Sequence, residues 1–159
     1  MILVMTRKRR WILKEKRRPV VTVTGSHDKT IVYGVLSLDG KQPFRQDEKL
    51  DSQSFISYLE RVKRKFKKFV MFVDRATQHR SKIVEGYLQK NTKNIQIEYF
   101  PVGSSELNAV EECWRQGKYN ILSKNYYSGL SHIKQAISSY YRTRRFKLDI
   151  KKYLFRSTN

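Results

Sequence analysis

Asp74 closes the apolar run Phe69-Val70-Met71-Phe72-Val73, and Glu111 lies inside Leu107-Asn108-Ala109-Val110-Glu111. Both are hard oxygen donors. A carboxylate that ends a buried strand is held rigidly, and one placed a turn inside a following helix can converge on it across a cleft, which is how divalent cations are gripped for phosphoryl transfer. A two-ion site of that kind needs a third carboxylate. Each residue also has a plainer reading. Asp74 can cap the turn after its strand. Glu111 can sit at the border of the apolar stripe Leu107, Val110, Cys113 and Trp114 and neutralise Arg115, while helical phase turns Glu112 further toward solvent. Trp11 and Trp114 read as core or platform residues, and Cys113 as inert packing.

The elements that would position these residues follow from periodicity. Residues 1–5 are apolar but too few for a signal peptide or membrane span, and they run straight into Arg7-Lys8-Arg9-Arg10, so they read as a cytoplasmic strand. The β-branched runs 20–24 and 30–36, separated by turn-rich residues 25–29, predict a hairpin, and Asp39-Gly40 marks another turn. From Asp51, read as an N-cap, the residues Phe55, Ile56, Leu59, Val62 and Phe66 recur at helical spacing while Arg61, Lys63, Arg64, Lys65 and Lys67 occupy the other face. The run 69–73 lacks alternation, which predicts a strand buried on both faces. Ile83, Val84, Tyr87 and Leu88 predict a second helix, and residues 95–100 a further strand stopped by Pro101. A helix carrying Leu107, Val110, Cys113 and Trp114 follows, then a last one over about 130–141. No repeat, low-complexity tract or linker divides the chain, so residues 1–159 are expected to form a single domain with a basic, loosely held tail over about 142–159.

Composition narrows the partner. Thirty-four Lys and Arg against fourteen Asp and Glu leave a formal charge of +20, far beyond what solubility requires, and a polyanion such as nucleic acid is the natural counterpart. A basic structural protein of the ribosome or of chromatin would share that charge. Apolar residues at 39% and charged residues at 30% are those of a globular chain rather than a disordered one. One cysteine excludes an internal disulfide, and no Cys/His cluster has zinc spacing.

Two stretches sharpen the reading. Asp74-Arg75-Ala76-Thr77-Gln78-His79 and Ser104-Ser105-Glu106-Leu107-Asn108-Ala109-Val110-Glu111-Glu112-Cys113-Trp114 resemble the paired signatures of DDE transposases, in particular the mariner-like branch of insertion-sequence transposases. In that family the strand-end motif usually reads Asp-Asn-Ala-x-x-His. The helix motif reads Ser-Pro-x-Leu-Asn-Pro-x-Glu-x-x-Trp and follows a strand and a proline. Here Arg75 replaces the usual Asn, and Ser105 and Ala109 replace the two prolines. Trp11 and Arg17-Arg18-Pro19-Val20 are similar to the segment before the family's first hairpin, so the resemblance extends over nearly the whole chain. An antiparallel hairpin region followed by βαβα is the order of an α/β, ribonuclease H-like fold, a mixed sheet with helices on both faces.

The resemblance implies that Asp74 and Glu111 are the second and third catalytic, metal-binding carboxylates of a site for two Mg²⁺ or Mn²⁺ ions. The reaction implied is DNA cleavage by activated water, followed by attack of the freed 3′ hydroxyl on target DNA. His79 is then a donor near the scissile phosphate or a turn residue, and Asn108 either orients the acidic cluster or is a solvent-facing amide. Transposon ends and target DNA are the implied partners, with no membrane, a cytoplasmic location, and a homodimer compatible with all of this. The first carboxylate should precede Trp11, yet nothing acidic lies between Met1 and Lys14. Asp28 and Asp39 fall in turns, where aspartate serves backbone hydrogen bonding. The expectation is therefore a truncated transposase remnant, weak in metal binding and inactive alone, without the first Asp and the DNA-binding region. Arg7, Lys8, Arg9, Arg10, Arg17, Arg18, Lys63, Arg64, Lys67 and Lys68 would follow DNA phosphates without reading sequence. The alternative is a non-catalytic nucleic-acid-binding domain of the same fold.

Overall fold

The computed structural model describes residues 2–4, 29–123, 125, 127 and 129–155. The expected strand at 20–24, Trp11, Asp28, and the basic residues Arg7, Lys8, Arg9, Arg10, Arg17 and Arg18 lie outside the described residues. Strands β1 (Ile2–Val4), β2 (Lys29–Gly34) and β3 (Phe44–Asp47) form an antiparallel sheet in that order, with Ile2 opposite Ile31 and Gly34 opposite Phe44. The β2–β3 connection turns where expected. Gly40 takes φ +80°, open to glycine at no steric penalty, and donates its N–H to the Ser37 carbonyl at 2.9 Å. Gly34 is required for another reason: a Cβ there would collide with the Phe44 ring packed over it.

Alternation along β2 divides the interior. Ile31 and Tyr33 face a core shared with Phe55, Tyr58, Leu59 and Val62, whereas Val32 faces Cys113, Ile121, Ile133, Ile137, Tyr141 and Phe146. Helices therefore cover both faces of this sheet. The first core rests on α1 (Ser52–Phe66), whose N-cap Asp51 accepts the Ser54 N–H at 2.8 Å, as its spacing predicts. The second rests on the helix Ala109–Gly117, a π-helical segment Lys118–Ser123 and the helix Leu130–Thr143 (α4).

Strands β4 (Phe69–Val73) and β5 (Ile95–Tyr99) pair in parallel, Phe69 opposite Ile95 and Val73 opposite Tyr99, joined through α2 (Lys82–Lys90) as a βαβ unit. Helix α3 (Ala109–Gly117) follows β5 through a 3₁₀ turn at Ser105–Leu107. This is the predicted order of elements. Among the described residues, however, β4–β5 and β1–β2–β3 form two separate ladders rather than one mixed sheet.

Three expectations are corrected. β4 is buried on one face only: Met71 and Val73 are 7% and 8% exposed and lie in the α1 core, while Val70 and Phe72 are 53% and 49% exposed and line an open cavity. In α2, Val84 rather than Ile83 carries the buried contact, since Ile83 falls one residue off the inward face. The segment after α4 is not loose. Phe146 is buried, and its backbone N–H and carbonyl bond reciprocally to the Gln42 side-chain amide at 2.9 and 2.6 Å, ahead of helix α5 (Ile150–Leu154). No helix among the described residues is long and apolar enough to cross a membrane.

Between α1 and β4 the chain reverses in a γ-turn centred on Lys67, with φ 62° and ψ −60°, closed by the Lys68 N–H on the Phe66 carbonyl at 2.7 Å. That conformation is strained for any residue with a Cβ. Relief of strain outweighs the extra backbone entropy of glycine, so Lys67→Gly is expected to stabilise the fold by up to ~1 kcal/mol in urea unfolding.

Candidate active site

Asp74 stands immediately after β4, so the parallel pairing with β5 fixes where its Cα sits. Arg75 ties the two strand ends together by donating its Nε–H to the Phe100 carbonyl at 3.0 Å. The Asp74 carboxylate then turns back on its own loop: Oδ1 accepts the Ala76 N–H at 3.1 Å and lies 2.8 Å from His79 Nδ1. Both plain and chemical readings of Asp74 are therefore met at once. It caps the turn after its strand, and its side chain remains about half exposed at the cavity. The His79 hydrogen bond, ahead of every other influence, holds its carboxyl below the usual aspartate range.

Glu111 is placed by the start of α3. Asn108 is the N-cap, its Oδ1 accepting the Val110 N–H at 3.2 Å while its carbonyl accepts the Glu111 N–H at 2.9 Å. Asn108 is thus neither a free amide nor a direct contact of the Asp74 carboxylate; it positions the turn that carries Glu111. A polar residue of the Asn type directly before a helical stripe is an N-cap signal that the motif match overshadowed. Glu111 opens into the same cavity as Asp74, a space of about 680 Å³ lined also by Tyr33, Gly34, Val35, Val70, Phe72, His79, Trp114 and Lys118. Desolvation raises its carboxyl above the usual glutamate range, and the negative charge of Asp74 adds to the effect against Lys118. Both carboxylates line this one cavity.

Glu112 behaves differently. Arg115 grips it through Nε and an Nη at 2.6 and 2.7 Å, and Gln116 donates to it at 2.8 Å, holding its carboxyl below the usual range. The residue that neutralises Arg115 is therefore Glu112, not Glu111. Helical phase also misjudged exposure: Glu112 is the more covered of the two because Arg115 and Gln116 fold over it, while Glu111 looks into the open cavity.

The proposed basic track separates into parts. Lys63 is consumed within the fold, bonding Glu60 at 3.0 Å and Asn91 at 2.9 Å beside the Tyr87 ring. Arg64, Lys67 and Lys68 are exposed, but they sit where β4 begins, about 20 Å along the extended strand from Asp74. Exposed Lys118 lines the cavity itself, and exposed Arg75 and Arg80 lie on the loop that follows Asp74. They stand singly in the sequence, so no charge run marked them.

The donor chemistry suits a hard divalent cation, since two carboxylates line one cavity and Glu111 is raised by desolvation, with the charge of Asp74 adding to it. Among the described residues no three His, Cys, Asp or Glu side chains gather to hold one ion. The set is sufficient for partial ligation of a single ion.

Stability should report this disfavoured charge on Glu111, set first by desolvation. A carboxyl raised in the folded state adds stability only when protonated, fully below its unfolded value and lost as pH rises through the folded one. Glu111→Gln should therefore raise Tm at pH 7 by up to ~4 °C, the gain fading toward pH 4, whereas Glu112→Gln, which removes a favourable pair, should lower Tm at pH 7. Thermal unfolding across pH checks both signs.

The sequence profile of the DDE superfamily endonucleases matches residues 2–134. The protein described as the insertion element IS630 uncharacterized 39 kDa protein, from Shigella sonnei, is 32% identical over 120 residues, which is 73% of this chain and 34% of that protein. The structure is similar to Mos1 transposase in a paired-end complex with the left transposon end, at TM-score 0.65 and 11% identity over 97% of this chain and 48% of the other. It is similar also to a Mos1 mariner paired-end complex with Mn, at TM-score 0.64 and 12% identity over the same shares. The chain thus spans about a third of the IS630 relative and just under half of Mos1 transposase, and the likeness to the latter establishes the ribonuclease H-like α/β fold. With the profile covering most of its length, the chain belongs to the DDE superfamily endonucleases, in the branch of the IS630 and mariner transposases.

Proposed function

We propose that this chain is the DNA strand-cleaving and strand-transferring domain of an insertion-element transposase, with Asp74 and Glu111 as its catalytic carboxylates. The observation that carries this reading is their convergence on one cavity, with the charge of Asp74 felt at Glu111. Asp74 supplies a carboxylate kept ionised by His79, and Glu111 supplies one whose negative charge is destabilised until a positive charge arrives. The chemistry that a Mg²⁺ or Mn²⁺ ion held between them would contribute is activation of water and neutralisation of charge on the phosphate. Arg75, Arg80 and Lys118 meet the DNA backbone beside the site, and the +20 surplus draws in DNA as the partner. Transposon ends and target DNA are the substrates of this reading, and the cytoplasm is its setting.

A second reading is favoured by one specific observation. No third acidic donor joins Asp74 and Glu111 among the described residues, as a domain that binds DNA without cutting it would show. Cleavage separates the two. Two carboxylates leave a pair of ions under-neutralised, so the chain alone should bind duplex DNA and cut it negligibly with Mg²⁺ or Mn²⁺. Grafted into the IS630 relative in place of its matched segment, the chain should give metal-dependent cleavage that Asp74→Asn and Glu111→Gln each abolish. Failure of that chimera to cut would support the binding-only reading. Robust cleavage by the chain alone would show that the donor set is already complete.

Binding itself should be insensitive to sequence and fall with salt by a log–log slope of about −0.9 per phosphate contacted. Arg80→Gln and Lys118→Gln should each reduce that slope by about one, while Lys63→Gln should leave it unchanged. An unchanged slope in the first two variants would move the DNA away from the carboxylates.

A further inference from the structure

Asp74 does not present its two oxygens equally. Oδ1 is engaged twice, by the Ala76 N–H at 3.1 Å and by His79 Nδ1 at 2.8 Å, whereas Oδ2 has no hydrogen-bond partner among the described residues. The histidine that does this is itself fixed. Its ring packs on Phe55 with centroids 4.2 Å apart, its backbone N–H donates to the Ala76 carbonyl at 2.9 Å, and its carbonyl accepts the Tyr99 hydroxyl at 3.0 Å. Its side chain is only 13% exposed. Phe55 belongs to α1 and Tyr99 to β5, so the ring is braced by elements on either side of the strand that ends at Asp74. A turn residue serving only its own loop would not need that bracing.

We propose that His79 is a positioning residue that locks the Asp74 carboxylate so that Oδ2 alone meets a divalent cation, selecting Mg²⁺ or Mn²⁺ over Ca²⁺. This rests on the reading of Asp74 as a ligand given above. An unrestrained carboxylate can rotate and chelate one ion through both oxygens, a mode suited to the large, irregular shell of Ca²⁺. One-oxygen ligation suits the octahedral shell of Mg²⁺ and leaves positions for Glu111, water and phosphate oxygens. Nδ1 lies 2.8 Å from Oδ1 and 3.3 Å from the Asp74 main-chain carbonyl, so in the tautomer that carries its proton on Nδ1 the ring faces two acceptors and contributes no ligand through that nitrogen. Its influence passes through the orientation of Asp74. This role adds to the two that its sequence position left open, since His79 ends the 3₁₀ turn Thr77–His79 and only Nδ1 is engaged by Asp74.

The test is titration calorimetry of Mn²⁺ and Ca²⁺ on the whole chain and on variants whose folding is checked by near-ultraviolet circular dichroism. His79→Phe keeps a ring against Phe55 but removes the donor, and should weaken Mn²⁺ about tenfold while weakening Ca²⁺ less. His79→Asn, which restores an N–H donor at a similar reach, should recover Mn²⁺ affinity. Equal losses of both ions, or no loss in His79→Phe, would overturn the proposal. Asp74→Asn is the control: if it leaves Mn²⁺ affinity unchanged, the reading of Asp74 as a ligand fails, whereas a loss there with none in His79→Phe refutes only the lock. A measurement on the unaltered chain covers the case of a variant that does not fold. ¹⁵N resonances of the His79 ring should keep Nδ1 protonated and hydrogen-bonded as Mg²⁺ is added, and a change to the pattern of a free imidazole would overturn the lock.

Discussion

Two carboxylates line one partly desolvated cavity, and burial there raises Glu111 first, with the charge of Asp74 adding to it. Asp74 and Glu111 come from different elements, each anchored in its own way. Asp74 is fixed by the parallel ladder of β4 and β5 and by the Arg75 bond to Phe100, and Glu111 by the Asn108 cap of α3. These bonds fix the backbone that carries each carboxylate. Their electrostatic treatment is unequal. Asp74 receives two donors and is stabilised as an anion, whereas Glu111 is left raised with Lys118 as the only described side chain that eases it. An arrangement of this kind lowers stability when the pair is bare and gains from a cation, which is the usual direction of exchange between stability and function at a site.

Lys118 lines the cavity and eases Glu111, exposed Arg75 and Arg80 lie on the loop that follows Asp74, and Arg64, Lys67 and Lys68 stand at the far end of the strand. Glu60, Glu112 and Glu48 pair with Lys63, Arg115 and Lys134, the first two within one helix and the third between α4 and the residue after β3. What remains exposed can follow a polyanion over an extended surface, in keeping with salt-sensitive contacts to phosphates.

Much of this was legible in the chain. The spacing of Phe55, Leu59 and Val62 after Asp51 defined α1 with its cap, and the pairing of strand end and helix start located both carboxylates. Periodicity failed where the cause lay elsewhere in the molecule. β3 reads Phe-Arg-Gln-Asp, without alternation, and exists because β2 offers it an edge and Gly34 makes room for Phe44. β4 looked buried on both faces because Val70 and Phe72 are apolar, yet no helix covers that side among the described residues. Glu112 was placed outward by phase, which knows the direction of Cβ but not that Arg115 and Gln116 bend back over it. Lys63 looked like one of a basic run because its partners Asn91 and Tyr87 lie in another helix or at its end.

The most direct test of the convergence of Asp74 and Glu111 on one cation is paramagnetic broadening of backbone amide signals by sub-stoichiometric Mn²⁺. Broadening falls off steeply with distance from the ion, so its map locates the site without relying on catalysis. The amides of Ala76 and Val110, on the two turns that carry the carboxylates, should broaden first and together, with those of Lys67 and Lys68 at the other end of β4 unaffected. Broadening of only one of the two turns, or broadening centred elsewhere, would contradict the account.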